Sequence, residues 1–312
     1  MCFELTVLGS AAALPNSRQI STAQILKYKN KYFLFDCAEG TQIRLRQNKI
    51  SLAAIEHIFI SHLHGDHYYG IFGLIKSLEL LGRKRALNIY AHEELEHQLD
   101  IVSEYKTAKF PIHFHPLDAT DEAIILDKKS FYIKSFPLRH RIKSCGFVFR
   151  EKPKELNIRK ESIRKYQLGV ADILKIKKGK HFIDTEGNCI PNRLLTYPPY
   201  KTRSFAFCTD TAYHEPITEN IRNVDLLYHE ATFSETDKEL AAETQHSTSV
   251  DAARTAQNAG AGKLLVGHIS NRYADSQIIV TEAKAIFENT FEAKDNSQHI
   301  VKLTREEKHT EL

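Results

Sequence analysis

Apolar positions along this chain come in short runs, some alternating every second residue and some repeating at helical spacing. Phe3 to Leu8 alternates as a strand and stops at Gly9-Ser10, and the loop Ala11 to Ser21 carries the turn formers Pro15, Asn16, Ser17 and Arg18. Gln24 to Tyr28 and Lys31 to Phe35 read as a hairpin around Lys29-Asn30, followed by Asp36 and a helix over Gln42 to Gln47. Ile58 to Ile60 closes another strand. The spacing of Ile71, Leu74, Ile75, Leu78 and Leu81 predicts a helix over Tyr69 to Leu81. A strand (Asn88 to Ala91), a helix (Glu93 to Val102) and a strand pair (Ser130 to Leu138, Cys145 to Phe149) follow. The second half offers three buried strands, Ser204 to Cys208, Val224 to Tyr228 and Leu264 to Gly267. It also offers helices over Val250 to Ala259, capped by Ser247 or Ser249, and Ile278 to Glu288, then a strand over His299 to Leu303 and a charged tail. Strands and helices interleaved in this way predict a layered α/β architecture.

Chemistry gathers where the strands end. Directly after Ile58 to Ile60, the string Ser61-His62-Leu63-His64-Gly65-Asp66-His67 sets three imidazoles and a carboxylate within six positions. Imidazole and carboxylate are the donors that hold zinc, manganese or iron, and burying so many without a metal would strand polar groups. In extended backbone His62 and His64 share a face, which suits both to one metal, while Asp66 and His67 can turn toward another. Asp36, at the end of the neighbouring strand, can hydrogen-bond this loop from beneath. Four later strands also finish on candidate ligands or acids: Arg139-His140, Thr209-Asp210-Thr211, His229-Glu230-Ala231-Thr232 and His268, with His246-Ser247-Thr248 between the last two.

Composition changes the picture little. At 312 residues, 42% hydrophobic and 26% charged, the chain is long enough for a full core and ordinary for a soluble protein. No apolar run approaches the roughly 18 residues of a membrane span, and the N-terminal stretch lacks the basic region of a secretory signal. Five scattered cysteines without a C-x-x-C pair fit a reducing cytoplasm. Net charge is +4, but its distribution is uneven. Residues 150 to 180 hold eleven Lys or Arg against four acids, a local surplus of +7, interspersed with Leu156, Ile158, Ile163, Leu168, Val170 and Ile176. This predicts a small folded protrusion with a basic face able to bind a polyanion.

The strings from Leu8-Gly9-Ser10 through His62 to His67, H-E-A-T at 229 to 232, H-S-T at 246 to 248 and H-I-S-N-R-Y at 268 to 273 resemble the metallo-β-lactamase superfamily and, within it, ribonuclease Z. That resemblance implies an α/β fold, the αββα sandwich, as one catalytic domain over 1–312 with a flexible basic arm inserted at 150–203 as an RNA-binding exosite. It implies two zinc ions, with manganese as an alternative: His62, His64 and His140 on one, Asp66, His67 and His268 on the other, and Asp210 bridging. It implies cytoplasmic removal of 3′ trailers from precursor tRNA by a homodimer, with hydroxide shared by the metals as nucleophile and a 3′-hydroxyl and 5′-phosphate as product ends. Asp66, Glu230 and His246 are the implied catalytic residues, His246 with Glu230 protonating the leaving oxygen. Two rival readings are another phosphodiesterase, esterase or lactonase of the superfamily, which needs no basic arm, and a silent RNA-binding module, which predicts missing ligands.

Overall fold

The computed structural model describes residues 2–14, 19–103 and 105–305; the turn formers Pro15, Asn16, Ser17 and Arg18 and the end of the charged tail lie outside the described residues. Strands β1 (Phe3–Gly9), β2 (Ala23–Tyr28) and β3 (Lys31–Phe35) form an antiparallel meander, with Lys29 taking the left-handed backbone that the tight turn requires. After helix α1 (Thr41–Gln47), β4 (Ile55–Phe59) joins β3 in parallel. Helices α2 (Gly65–Tyr68) and α3 (Gly70–Leu80) then lead to β5 (Leu87–Ala91), and α4 (Glu93–Ser103) to β6 (Ile112–Pro116). Leu74, Ile75 and Leu78 of α3 pack with Leu34, Ile58 and Ile89 on the outer face of this sheet.

The second sheet starts with β7 (Ala123–Lys128), β8 (Phe131–Leu138) and β9 (Ser144–Glu151). Residues 151–203 belong to a second compact unit, which also takes in Lys128–Phe131 and the chain from Lys302. It contains β10 (Asn157–Ile158), α5 (Lys160–Lys165), α6 (Val170–Lys177), β11 (Phe182–Ile183), β12 (Cys189–Ile190), α7 (Asn192–Leu195) and β13 (Thr196–Tyr197). Leu168, Ile176 and Leu195 form its own small core with Ile158, Ile163 and Phe182 around them. The helical spacing of Ile173 and Ile176 builds this core. Glu151 and Arg203 close the base of the inserted segment in a buried ion pair, Oε1 to Nη2 3.0 Å and Oε2 to Nε 3.1 Å.

The chain rejoins the second sheet at β14 (Ser204–Cys208) and continues through α8 (Ile217–Asn220), β15 (Leu226–Glu230), α9 (Lys238–Thr244) and α10 (Ser249–Asn258). Strand β16 (Leu264–Gly267), α11 (Gln277–Lys284) and β17 (Thr290–Glu292) complete that sheet, and β18 (Gln298–Ile300) returns to pair with β1. Each sheet has seven strands, in the orders β18-β1-β2-β3-β4-β5-β6 and β17-β16-β15-β14-β9-β8-β7. Their inner faces meet through aromatic rings, with Phe35 and Phe205 5.4 Å apart and Phe59 and Phe147 5.6 Å apart. Helices α3 and α10 cover the outer faces, so the layers run helix, sheet, sheet, helix.

Several details differ from the periodic reading, among them the last strand, which spans Gln298–Ile300 rather than His299 to Leu303. Strand β15 starts and ends two residues later than the apolar run suggests, because the parallel ladder to β16 continues through His229↔Val266 and Glu230↔Gly267. Helix α10 is capped by Thr248, whose hydroxyl accepts from the Asp251 N–H while the Asp251 carboxylate accepts from the Thr248 N–H. Ser249 is instead its first helical residue. The helix over 278–288 ends at Lys284, where the Ile286 N–H turns to the Ala283 carbonyl and tightens the last turn.

Candidate metal centre

Parallel strands present their carboxyl ends at one edge of a sheet, and ligands collect there in open α/β sheets. β3 and β4 deliver Asp36 and the Ser61 to His67 loop, while β14, β15 and β16 deliver Asp210, Glu230 and His268. β8 delivers His140. Asp36 and His268 both sit in left-handed backbone, with φ of 54° and 55°. Such a conformation is held against its cost by the surrounding contacts. Asp36 receives the Ser61 N–H at 2.7 Å and hydroxyl at 2.8 Å, and the His268 N–H reaches the Ser10 carbonyl at 2.8 Å.

All seven ligand candidates converge. His62, His64, His140 and Asp210 offer donor atoms within 4.8 Å of one another, and Asp66, His67 and His268 do the same. Asp210 faces both groups with different oxygens. Its Oδ2 lies 3.5 Å from His62 Nε2 and 3.7 Å from His140 Nε2; its Oδ1 lies 3.3 Å from both His67 Nε2 and His268 Nε2.

The outer partners set the direction of each ring. His67 Nδ1 donates to Asp36 at 2.7 Å, His140 Nδ1 to the Gln245 carbonyl at 2.9 Å, and His268 Nδ1 to the Thr232 hydroxyl at 2.9 Å. Each bond leaves a bare Nε2 turned inward, the arrangement of a metal-ligating histidine with a hydrogen-bonded outer nitrogen. His62 Nε2 and His64 Nδ1 approach to 3.0 Å. His67 Nε2 is fully buried without a hydrogen-bond partner, facing Asp66 at 3.4 Å and Asp210 at 3.3 Å. That nitrogen tests the fit. A buried lone pair between two carboxylates calls for a cation, and the His and Asp donor set is that of a divalent metal.

The electrostatics say the same. Burial alone would lower the pKa of His67, but the carboxylates of Asp210, Asp66 and Asp36 outweigh it and hold the ring well above its ordinary range. Burial and the neighbouring His67 push His62 down to about 3, so it stays a neutral donor. Asp66 is held well below the usual carboxylate range; burial opposes this, but His67 and His268 prevail.

Beside the cluster His246 and Glu230 form a separate pair. Glu230 is fully buried, and its Oε1 accepts from His246 Nδ1 at 2.8 Å and from the Thr211 N–H at 2.7 Å. Its Oε2 accepts from the Thr232 hydroxyl at 2.5 Å. Burial pulls the His246 pKa down, but the Glu230 charge and hydrogen bond outweigh it and lift the imidazole to about 9. His246 Nε2 points back toward the cluster, 4.0 Å from Asp210 Oδ2.

Thr232 and Thr211 escaped the sequence reading. The Thr232 hydroxyl links Glu230 to His268, so the acid–base pair and a ligand share one hydrogen-bond chain. The available signal was the run of polar residues around Glu230, too short of donors without its threonines. His229 does not join the cluster; its Nδ1 reaches the Glu230 carbonyl at 2.7 Å.

This edge of paired sheets is the metal site of a metallo-β-lactamase fold. The human short-form tRNase Z superposes with a TM-score of 0.70 at 24% identity, covering 95% of this chain and 98% of the other. The metallo-β-lactamase fold protein YhfI of Bacillus subtilis also superposes with a TM-score of 0.70, at 18% identity over 96% of this chain and all of its own. A sequence profile for the anti-Pycsar protein Apyc1 matches residues 3–153. Ribonuclease Z of Bacteroides thetaiotaomicron is 40% identical over 296 residues, 94% of each chain. The chain therefore belongs to the ribonuclease Z family.

Proposed function

We propose that this protein is the endoribonuclease that removes 3′ trailers from precursor tRNA, and that it holds two zinc ions. His62, His64 and His140 would hold one ion, Asp66, His67 and His268 the other, and Asp210 would serve both. The observation that carries the reading is the complete set of seven donors beside an intact Glu230–His246 pair. A silent module would have lost some of them.

Divalent metals bound there supply positive charge against the phosphate oxygens and generate a nucleophile from water near neutral pH. The chain's own residues do the rest. Glu230 orients His246 and keeps it protonated, and Nε2 of that imidazole gives its proton to the departing 3′-oxygen. Thr232 couples the same carboxylate to His268 and keeps the proton donor in register with the donor cluster. Asp66, held ionised, accepts the Ala13 N–H at 3.0 Å and anchors the turn after β1 against the site. Cleavage then leaves a 3′-hydroxyl on the tRNA and a 5′-phosphate on the trailer.

The inserted unit is the RNA-gripping arm in this reading. Lys160, Arg164, Lys165, Lys175, Lys178 and Lys180 are exposed on it, and such side chains hold RNA through phosphates, by shape more than sequence. Its work across a homodimer and a cytoplasmic setting belong to the same proposal; among the described residues no helix is long and apolar enough to cross a membrane.

The test is incubation of the zinc-loaded protein with a precursor tRNA carrying a 3′ trailer, alongside a lactone. Trailer removal that disappears in His64→Ala is the expected result. Rapid lactone hydrolysis with the RNA left whole would favour the rival hydrolase.

A further inference from the structure

We infer that Phe233, with Arg272 stacked on it, is a positioning residue for the proton donor His246, a role that rests on the ribonuclease reading above. Phe233 directly follows H-E-A-T, and Arg272 is the arginine of H-I-S-N-R-Y. Neither is among the seven donors, yet each belongs to a string that carries a member of the site, Glu230 in one and His268 in the other.

The backbone around His246 is fixed from both sides. The His246 N–H reaches the Ala241 carbonyl at 2.9 Å; Phe233 gives its N–H to the Ser247 carbonyl at 3.3 Å and accepts the Ser249 N–H at 2.8 Å. The side chain is a different matter. Its hydrogen bonds, to Glu230 at 2.8 Å and Thr232 at 3.4 Å, both meet Nδ1. A ring held at one atom can pivot about it, and the pivot displaces Nε2, the atom that gives the proton. Three neighbouring rings limit that motion, with centroids 5.0 Å (His140), 5.4 Å (His268) and 6.1 Å (Phe233) from the imidazole. His140 and His268 are ligand candidates. Phe233, buried and meeting the imidazole at 68°, has no polar atom to compete with Glu230 for Nδ1, and the edge-on geometry is itself favourable.

Arg272 holds the phenyl ring in turn. Its guanidinium carbon lies 5.0 Å from the Phe233 centroid, and its Nη1 lies 3.8 Å from Asp237 Oδ1. A guanidinium over an aromatic face is attracted by the ring quadrupole. The backbone keeps the two together: the Arg272 N–H reaches Ser270 Oγ at 3.4 Å, and the Ser270 N–H reaches the carbonyl of Thr232, the residue before Phe233, at 3.1 Å. Asp237, Arg272, Phe233 and His246 thus form one succession of contacts that ends on the proton donor. Phe233 acts through His246 and touches no reacting atom.

The experiment uses two precursor tRNAs that differ in one atom, the 3′-oxygen at the cut or a sulfur in its place. A thiolate departs without a proton, so the sulfur substrate bypasses the general acid. Wild type, Phe233→Ala, Phe233→Leu, Arg272→Ala and His246→Ala are compared on both, with bound metal measured in each. Phe233→Ala is expected to keep its metal and its KM and to lose kcat on the oxygen substrate by about ten- to a hundredfold, up to the cost of an ångström's misplacement. On the sulfur substrate it matches wild type. Phe233→Leu keeps an apolar wall and loses less, again on the oxygen substrate alone; this variant decides the matter if Phe233→Ala binds no metal. Arg272→Ala shows the same selective loss in smaller measure. Added to His246→Ala, Phe233→Ala costs nothing further. An unchanged rate on the oxygen substrate, an equal loss on both substrates, a loss carried by KM, or a full further loss in the His246→Ala background overturns the positioning role. Equal losses in Arg272→Ala take Arg272 out of it. If His246→Ala slows the two substrates alike, the proton-donor reading fails and this inference with it; a wild-type protein that cuts neither RNA overturns the ribonuclease reading itself.

Discussion

At the scale of single residues, the hydrogen bonds behind the donors govern the chemistry as much as the donors do. Asp36 touches no other member of the cluster than His67, yet it holds both that ring and the Ser61 backbone. Asp36→Asn is expected to weaken metal binding by about ten- to a hundredfold, the usual cost of losing an outer partner; a competitive chelator titration read by metal content checks this. Glu230 has a different signature. Its carboxylate lifts His246 to about 9, so the proton donor is present below that pH and disappears as pH rises through it. In Glu230→Gln that lift is gone, and burial is opposed only by the weaker pull of Asp210. The high-pH limb of the rate profile should move downward, and the rate should fall by about 10²–10⁴-fold, the range of general-acid assistance. An unmoved limb would take Glu230 out of that role. The donors themselves were legible because H-x-H-x-D-H places unlike ligands at a density that chance rarely gives. Thr232, Thr211 and the Gln245 carbonyl were not, because a hydroxyl or carbonyl acquires its role only from the fold that brings it near.

At the scale of elements, strands that end on polar residues were readable wherever the run was apolar and short, as with β4, β14 and β16. β15 was misplaced by two residues because His229 and Glu230 look like loop residues until a parallel neighbour pairs with them. The edge strands β6 and β7 were missed, since the half-exposed IHFHP and AIILDK carry little periodic signal. The inserted unit showed its charge in the sequence but not its helices, whose small core is shared among segments far apart in the chain. Its base depends on Glu151 and Arg203. Burial raises the Glu151 pKa, but Arg203 outweighs it and holds the carboxylate below its ordinary 4.5. The pair therefore stabilises the base above about that pH and fails as acid protonates Glu151. Glu151→Gln removes the carboxylate that faces the buried Arg203 guanidinium, a loss of about 3–5 kcal/mol. Faster proteolytic cutting between residues 151 and 203 is the expected outcome, measured by limited digestion. Deleting the inserted segment should impair cleavage of precursor tRNA and spare a small phosphodiester; equal loss of both would contradict its role as a grip for RNA.

At the scale of the whole molecule, two sheets bring seven donors from four separate chain segments to one edge, while a separate unit carries much of the positive charge. Under the proposed function, bond breaking falls to the sandwich and the hold on RNA to the insertion. The family and the layered architecture were visible in the motifs and their order; the stack of Arg272 on Phe233 beside His246 was not, because it joins residues far apart in the chain. What the arrangement commits to is the direction of cleavage. In the proposed mechanism the protonated His246 beside the cluster serves the departing 3′-oxygen, and the 2′-hydroxyl takes no part. End-group analysis of a cleaved precursor tRNA tests this most directly: the account predicts a 3′-hydroxyl on the tRNA body and a 5′-phosphate on the trailer. A 2′,3′-cyclic phosphate or a 3′-phosphate on the tRNA would contradict it.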